Sequence, residues 1–159
     1  MVGYFQNYKY IDPVKDEFLK MLSFNISVLS KYPNLQNSIF LHIRGGDYLI
    51  YDVHNVNLSN YYSKCLEQCT DPIVVFTNDA NYANKILSGK QYTIINESDI
   101  DSLYLMSQCK GGICANSSFS WWGAYLNTNR KLFLPSKWYN DPSMNISGYY
   151  FNGCTIIDV

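Results

Sequence analysis

Ala115-Asn116-Ser117-Ser118-Phe119-Ser120-Trp121-Trp122-Gly123-Ala124 is the stretch on which the reading of the fold turns. It continues a short apolar run, Gly112-Ile113-Cys114-Ala115, that reads as the end of a buried strand. Phe119, Trp122, Ala124, Tyr125 and Leu126 then recur at spacings that suit one face of a helix. Between strand and helix lie Asn116, Ser117 and Ser118, side chains that cap helix N-termini by accepting orphan amide hydrogens. A strand entering such a turn and then a helix aims free N–H groups and a positive dipole end at one point. The arrangement suits a bound phosphate, though taken alone the stretch reads more readily as an ordinary capped helix beneath a core strand.

Moving outward, Ser38-Ile39-Phe40-Leu41-His42-Ile43 reads as a second buried strand, followed at once by Arg44-Gly45-Gly46-Asp47-Tyr48. Glycines let backbone approach a ligand closely, and an arginine at a strand's carboxyl end can fork onto phosphate oxygens. The alternative is a Gly-rich turn with a solvated Arg44–Asp47 pair. Before this block, Asp12-Pro13 opens an expected helix with Val14, Phe18, Met21 and Leu22 on one face, ending near the turn signal Lys31-Tyr32-Pro33-Asn34. After it come a helix from about Leu58 to Cys69, a strand at Ile73–Phe76, and Thr77-Asn78-Asp79 capping a short helix that closes near Gly89. A strand at Tyr92–Ile95 and a helix from Asp99 to Gln108 lead back to Gly112; beyond the central helix, Lys131–Pro135 is a strand and Thr155–Ile157 a last edge strand. This alternation predicts an α/β fold, a parallel sheet with helices on both faces.

Composition bounds the partners. A chain of 159 residues, 47% hydrophobic, is long enough for one domain with a real core, here residues 1–159 with 1–36 as a helical lead-in. A formal net charge of −1 without a Lys/Arg run argues against nucleic acid. No apolar stretch reaches the roughly 18 residues of a membrane span, and no signal-peptide pattern opens the chain, so the expectation is a cytoplasmic protein. The five cysteines, Cys65, Cys69, Cys109, Cys114 and Cys154, lack C-x-x-C spacing and read as reduced residues. No His/Cys/carboxylate cluster has metal-ligand spacing. Asp99-Ile100-Asp101 resembles the D-x-D that holds a divalent metal in one class of sugar transferases, but acids opening a helix also simply favour its dipole.

The two phosphate-ready blocks, in this order, carry a family resemblance. His42-Ile43-Arg44-Gly45-Gly46-Asp47-Tyr48 resembles the H-x-R-R-G-D-Y motif of the α-1,2-fucosyltransferases, glycosyltransferase family 11. Leu105-Met106-Ser107-Gln108-Cys109-Lys110 and Ala115 to Leu126 resemble that family's second block, Lys131 to Trp138 the segment after it, and Gly3-Tyr4-Phe5-Gln6 the stretch that precedes the donor half. Three departures stand out. Gly45 occupies the place of the family's second arginine, Ser102 that of an acid seven residues before Cys109, and nothing matches the preceding half with its G-L-G-N-Q motif.

The resemblance implies a Rossmann-like sugar-nucleotide-binding domain, one half of a GT-B type transferase. It also implies a metal-independent, inverting transfer of L-fucose from GDP-fucose, without a further cofactor, to the 2-hydroxyl of a galactoside-containing glycan. Arg44 and the helix start at Asn116, Ser117, Ser118 and Phe119, with Gly45 and Gly46, are the expected donor-binding positions. Asp47 is the candidate base, and His42 either a base or a hydrogen-bonded organiser. Trp121 and Trp122 either stack on a ligand ring or belong to the core. A second domain or chain supplying the acceptor half is the expected partner. The rival reading is a non-catalytic GDP-sugar-binding fragment or subunit.

Overall fold

The computed structural model describes residues 7–128 and 131–159; the Gly3–Gln6 stretch lies outside them. Six strands, β1 (Ile39–Ile43), β2 (Ile73–Thr77), β3 (Thr93–Ile94), β4 (Gly111–Ile113), β5 (Lys131–Pro135) and β6 (Cys154–Ile157), form one sheet in the order β3-β2-β1-β4-β5-β6. Every pairing is parallel, with Ile39 opposite both Ile73 and Gly111 and Leu41 opposite Val75 and Ile113. The α/β, Rossmann-like reading therefore holds, including the last edge strand, which begins one residue early at Cys154.

Strand periodicity divides the core. Ile39, Leu41, Ile43, Val75, Ile113 and Phe133 face one side, against α3 (Ser59–Glu67) and α4 (Ala80–Ile86) through Tyr61, Tyr62, Cys65, Ala83 and Leu87. Phe40, Phe76, Leu132 and Leu134 face the other, against α5 (Asp99–Gln108) and α6 (Ser118–Leu126) through Leu105, Met106, Trp121, Ala124 and Tyr125. Each such fully buried side chain is worth about 1.5–3 kcal/mol relative to exposure. On α6 the buried residues are Ser120, Trp121, Gly123, Ala124 and Tyr125, while Phe119, Trp122 and Leu126 are only half-buried. The apolar stripe is thus rotated from the one expected, because Trp121 donates its indole N–H to the Tyr149 carbonyl (2.6 Å) and stacks on Tyr125. Trp121 is core, and Trp122 packs on Phe18 with ring centroids 5.5 Å apart.

The lead-in differs from expectation. In place of one amphipathic helix from Asp12 there are two short ones, α1 (Tyr8–Ile11) and α2 (Lys15–Met21), joined by a 3-10 turn at Asp12–Val14. Asn7 caps the first, and the Asp12 carboxylate instead accepts from the Tyr125 hydroxyl. Val14 and Met21 are exposed, Met21 at 82%, so α2 buries no complete face. The segment is anchored instead by Val28 and Leu35, in or beside 3-10 turns, within the α5–α6 side of the core.

Candidate functional site

The strand order reverses between β1 and β4. Chain progression moves from β1 outward to β3, then returns to the other side of β1. The two crossovers leave opposite faces at this point and open a crevice beyond the carboxyl ends, where open α/β sheets bind ligands. Arg44 follows β1 directly and the Asn116–Ser118 turn follows β4, so both motif blocks border the same crevice.

Arg44 is half-buried. One terminal nitrogen donates to both Asp47 carboxylate oxygens at 2.8 and 3.0 Å, and the guanidinium lies over the Tyr48 ring at 5.0 Å. The Arg44 hydrogen bond holds the Asp47 carboxyl below the usual carboxylate range. The Arg44 Nε is buried and has no hydrogen-bond partner. The guanidinium is therefore oriented by Asp47 and Tyr48 while retaining donors for a further anion.

The two glycines serve a close approach, but to the chain itself. Gly45 N–H donates to Asn78 Oδ1 (2.9 Å), Asn78 Nδ2 donates to the Gly45 carbonyl (3.3 Å), and Gly46 N–H donates to Asp79 Oδ2 (3.3 Å). Gly46 has φ 58°, a left-handed conformation that favours glycine. A Cβ at Gly45 would lie 2.7 Å from the Asp79 Cβ, so the space of the expected second arginine is filled by the loop after β2. Both amides are thus already bonded within the chain.

His42 is 3% exposed, its Nδ1 has no partner, and its ring lies 5.6 Å from Phe119. Burial, reinforced by the Arg44 charge, pushes its pKa down to about 3. The imidazole is neutral at ordinary pH and too weakly basic in this state to collect a proton, which favours an organising part. The Tyr62 hydroxyl donates to its carbonyl at 3.0 Å.

Beyond β4, Ser117 is the N-cap of α6 in extended conformation, yet its side chain caps no helix amide. Ser118 is exposed and Phe119 half-buried at the helix start, so the first-turn amides lack a side-chain cap and face the crevice. Asn116, 5% exposed, turns inward: its Nδ2 donates to the His54 carbonyl (3.0 Å) and the Trp138 carbonyl (2.9 Å). It ties together the segments that follow β1, β4 and β5. The cavity enclosed by Arg44, Tyr48, His54 and Asn116 measures about 10 Å³, and beside it a cleft of about 390 Å³ is lined by Trp138, Tyr139, Asn140 and Asp141.

Sequence reasoning missed Asn78, Asp79, His54 and Tyr139. The position of Asn78 and Asp79 after a strand was a usable signal, since every such residue lies at the ligand edge of a parallel sheet. Asp99 and Asp101 open α5, where Asp101 N–H is capped by Ser98 Oγ. Among the described residues no three His, Cys, Asp or Glu side chains converge as a metal site, and no helix is long and apolar enough to cross a membrane.

A family model for glycosyl transferase family 11 matches residues 1–153. An O-antigen biosynthesis glycosyltransferase, WbnK, of Escherichia coli is 32% identical over a 165-residue alignment covering 87% of this chain and 55% of that protein. An alpha-1,2-colitosyltransferase of Escherichia coli is 31% identical over 168 residues, covering 91% and 57%. The chain thus spans about half the length of the curated relatives it matches. No solved structure matches it.

Proposed function

The chain belongs to glycosyl transferase family 11, and on that premise we propose that it is the donor-binding part of a glycosyltransferase. It holds GDP-L-fucose in the crevice between β1 and β4, for metal-independent, inverting transfer of the sugar to the 2-hydroxyl of a galactoside. The observation that carries the reading is the convergence of Arg44 and the uncapped N-terminus of α6 on the strand-order reversal. The α-1,2 linkage in the name of one relative supports the hydroxyl chosen. That name also carries colitose as the transferred sugar, so colitose is the competing donor sugar to assay.

As the C1–O bond breaks, the leaving diphosphate gains negative charge. A fixed cation and helix amides stabilise that charge more in the transition state than in the ground state. Arg44 supplies the cation, with Nε and one terminal nitrogen not engaged by Asp47. Turning the guanidinium to the diphosphate loosens its hold on Asp47, whose carboxylate then becomes a better acceptor for the proton of the attacking hydroxyl. His42 and Phe119 close the inner wall, and Gly45 and Gly46 place the loop against Asn78 and Asp79. The resemblance implies that the acceptor half lies in a second domain or chain, and the curated relatives are about twice the length of this sequence. A second reading, a GDP-sugar-binding subunit that does not itself transfer, is favoured by Gly45 in the place of the family's second arginine, where the Asp79 side chain fills the space.

Calorimetric titration with GDP, UDP and ADP tests the donor reading. The expected result is clear selectivity for GDP, lost in Arg44→Ala while the fold melts normally. GDP binding by Arg44→Ala as tight as by the parent refutes the assignment. Release of fucose from GDP-fucose into water then separates the two readings, since a transferase leaks donor and a binding subunit does not.

A further inference from the structure

The segment between Leu49 and Ser59 contains no helix or strand, and its outer residues Ile50 and Tyr51 are 76% and 60% exposed. Its inner part is nonetheless tied on both sides. Asn140 donates through Nδ2 to the carbonyls of Asp52 (2.8 Å) and Asn55 (3.0 Å) and through its backbone N–H to Val53 (2.9 Å). Asn116 donates to the carbonyl of His54. The one ring these bonds carry inward is His54. It stacks on Tyr48 with centroids 4.7 Å apart and an interplanar angle of 21°, and Tyr139 covers it from beyond at 5.5 Å. Tyr48 in turn lies beneath the Arg44 guanidinium.

A continuous column therefore runs from the Asn116 amide, in the second motif block, through His54 and Tyr48 to the guanidinium at the end of the first. We propose that His54 is a positioning residue for Arg44, transmitting the hold of Asn116 through the stacked Tyr48 ring. The inference rests on the reading of Arg44 as the group that binds the diphosphate.

The physical reason lies in what changes on binding. Arg44 is oriented by two contacts, the Asp47 carboxylate and the Tyr48 face. An incoming diphosphate that takes the donors Asp47 leaves free turns the guanidinium and loosens the first contact, but leaves the second in place, because an aromatic face takes a guanidinium flat while its edge donors stay free. In the bound state the Tyr48 ring is the remaining guide; its hydroxyl end is hydrogen-bonded to the Ser117 side chain, and the tilt of its face is set by the ring stacked behind it. Stacking requires a flat π surface and not a ring nitrogen. A phenylalanine at position 54 therefore preserves the effect, and a leucine of similar bulk does not.

The test is GDP titration of the whole chain carrying His54→Phe or His54→Leu, with thermal melts of each and Arg44→Ala as a control. The expected result is near-parental affinity for His54→Phe and roughly five- to tenfold weaker binding for His54→Leu, at similar melting temperatures. Parental affinity in both variants overturns the proposal, since His54 then only packs the loop. Equal loss in both also overturns it, because the ring nitrogen then acts on the ligand directly. If His54→Leu does not fold, His54→Gln removes the same flat ring in a polar side chain: GDP binding weaker than in His54→Phe supports the proposal and parental binding overturns it. If Arg44→Ala binds GDP normally, the diphosphate reading fails and not the column alone.

Discussion

Lowering the pH should destabilise this protein through His42, independently of any ligand. The imidazole sits at the carboxyl end of β1, 3% exposed, with an unpartnered Nδ1 and the Arg44 cation nearby. Its pKa is pushed from the ordinary 6.5 to about 3. Between these values the unfolded chain binds a proton that the folded chain refuses, so stability falls as pH falls below the unfolded value. One pH unit within that window is worth about 1.4 kcal/mol, and acidification from about pH 7.5 to about pH 5 removes about 2 kcal/mol. Against a typical domain stability of roughly 5–15 kcal/mol this is a measurable fraction. The assay is urea unfolding at a series of pH values, for the parent and for His42→Leu, which keeps an apolar residue between Leu41 and Ile43. The absolute midpoints matter less than the slopes. Other groups, including the Asp47 carboxyl with its lowered pKa, contribute acid lability in the same direction and cancel in the comparison. The parent should lose about 2 kcal/mol more than His42→Leu over that range. Identical slopes would show that His42 titrates alike in the folded and unfolded states, and the argument from its burial would fail.

Further outcomes follow from the same geometry. Gly45→Ala places a Cβ 2.7 Å from the Asp79 Cβ, and the overpacked loop should cost on the order of 1–3 kcal/mol in chemical unfolding; an unchanged midpoint would mean that the loop after β2 yields freely. GDP affinity should be the same before and after EDTA treatment, because Arg44 and the α6 amides meet the diphosphate charge; an affinity that depends on Mg²⁺ or Mn²⁺ would bring Asp99 and Asp101 back as ligands. The chain alone should bind GDP-fucose and transfer it slowly, with transfer to a galactoside rising when the preceding half is supplied, since holding donor and acceptor together is worth roughly 7–11 kcal/mol of barrier. Equal transfer rates with and without that half, measured by product mass at equal donor occupancy, would place the acceptor site within these residues.

Much of the fold was legible because it is written locally. Apolar runs at Ile39–Ile43, Ile73–Thr77 and Lys131–Pro135, broken by turn residues and helical spacings, require parallel strands covered on both faces. Asp79 capping α4 and the bounds of α5 were likewise decided within a few residues. The lead-in was less legible, because a helix with Val14 and Met21 left exposed is stabilised by no face of its own, and Asp12 is held instead by Tyr125 from α6.

Sequence alone also determined which residues reach the carboxyl edge of the sheet: Arg44 after β1 and Asn116 to Ser118 after β4. It did not determine what those residues touch. Gly45 bonds to Asn78 across 33 positions, and Asn116 bonds to His54 across 62 and to Trp138 across 22. Such partners meet only after β1 has paired with β2 on one side and β4 on the other, and that pairing is chosen by side-chain packing over the whole core. Strand propensity and capping act over a few residues along the chain, whereas a hydrogen bond at about 3 Å between distant loops depends on strand order and register. Tertiary structure therefore decided that the glycine amides bond to the neighbouring loop, that Asn116 holds loops together, and that Arg44 lies over Tyr48.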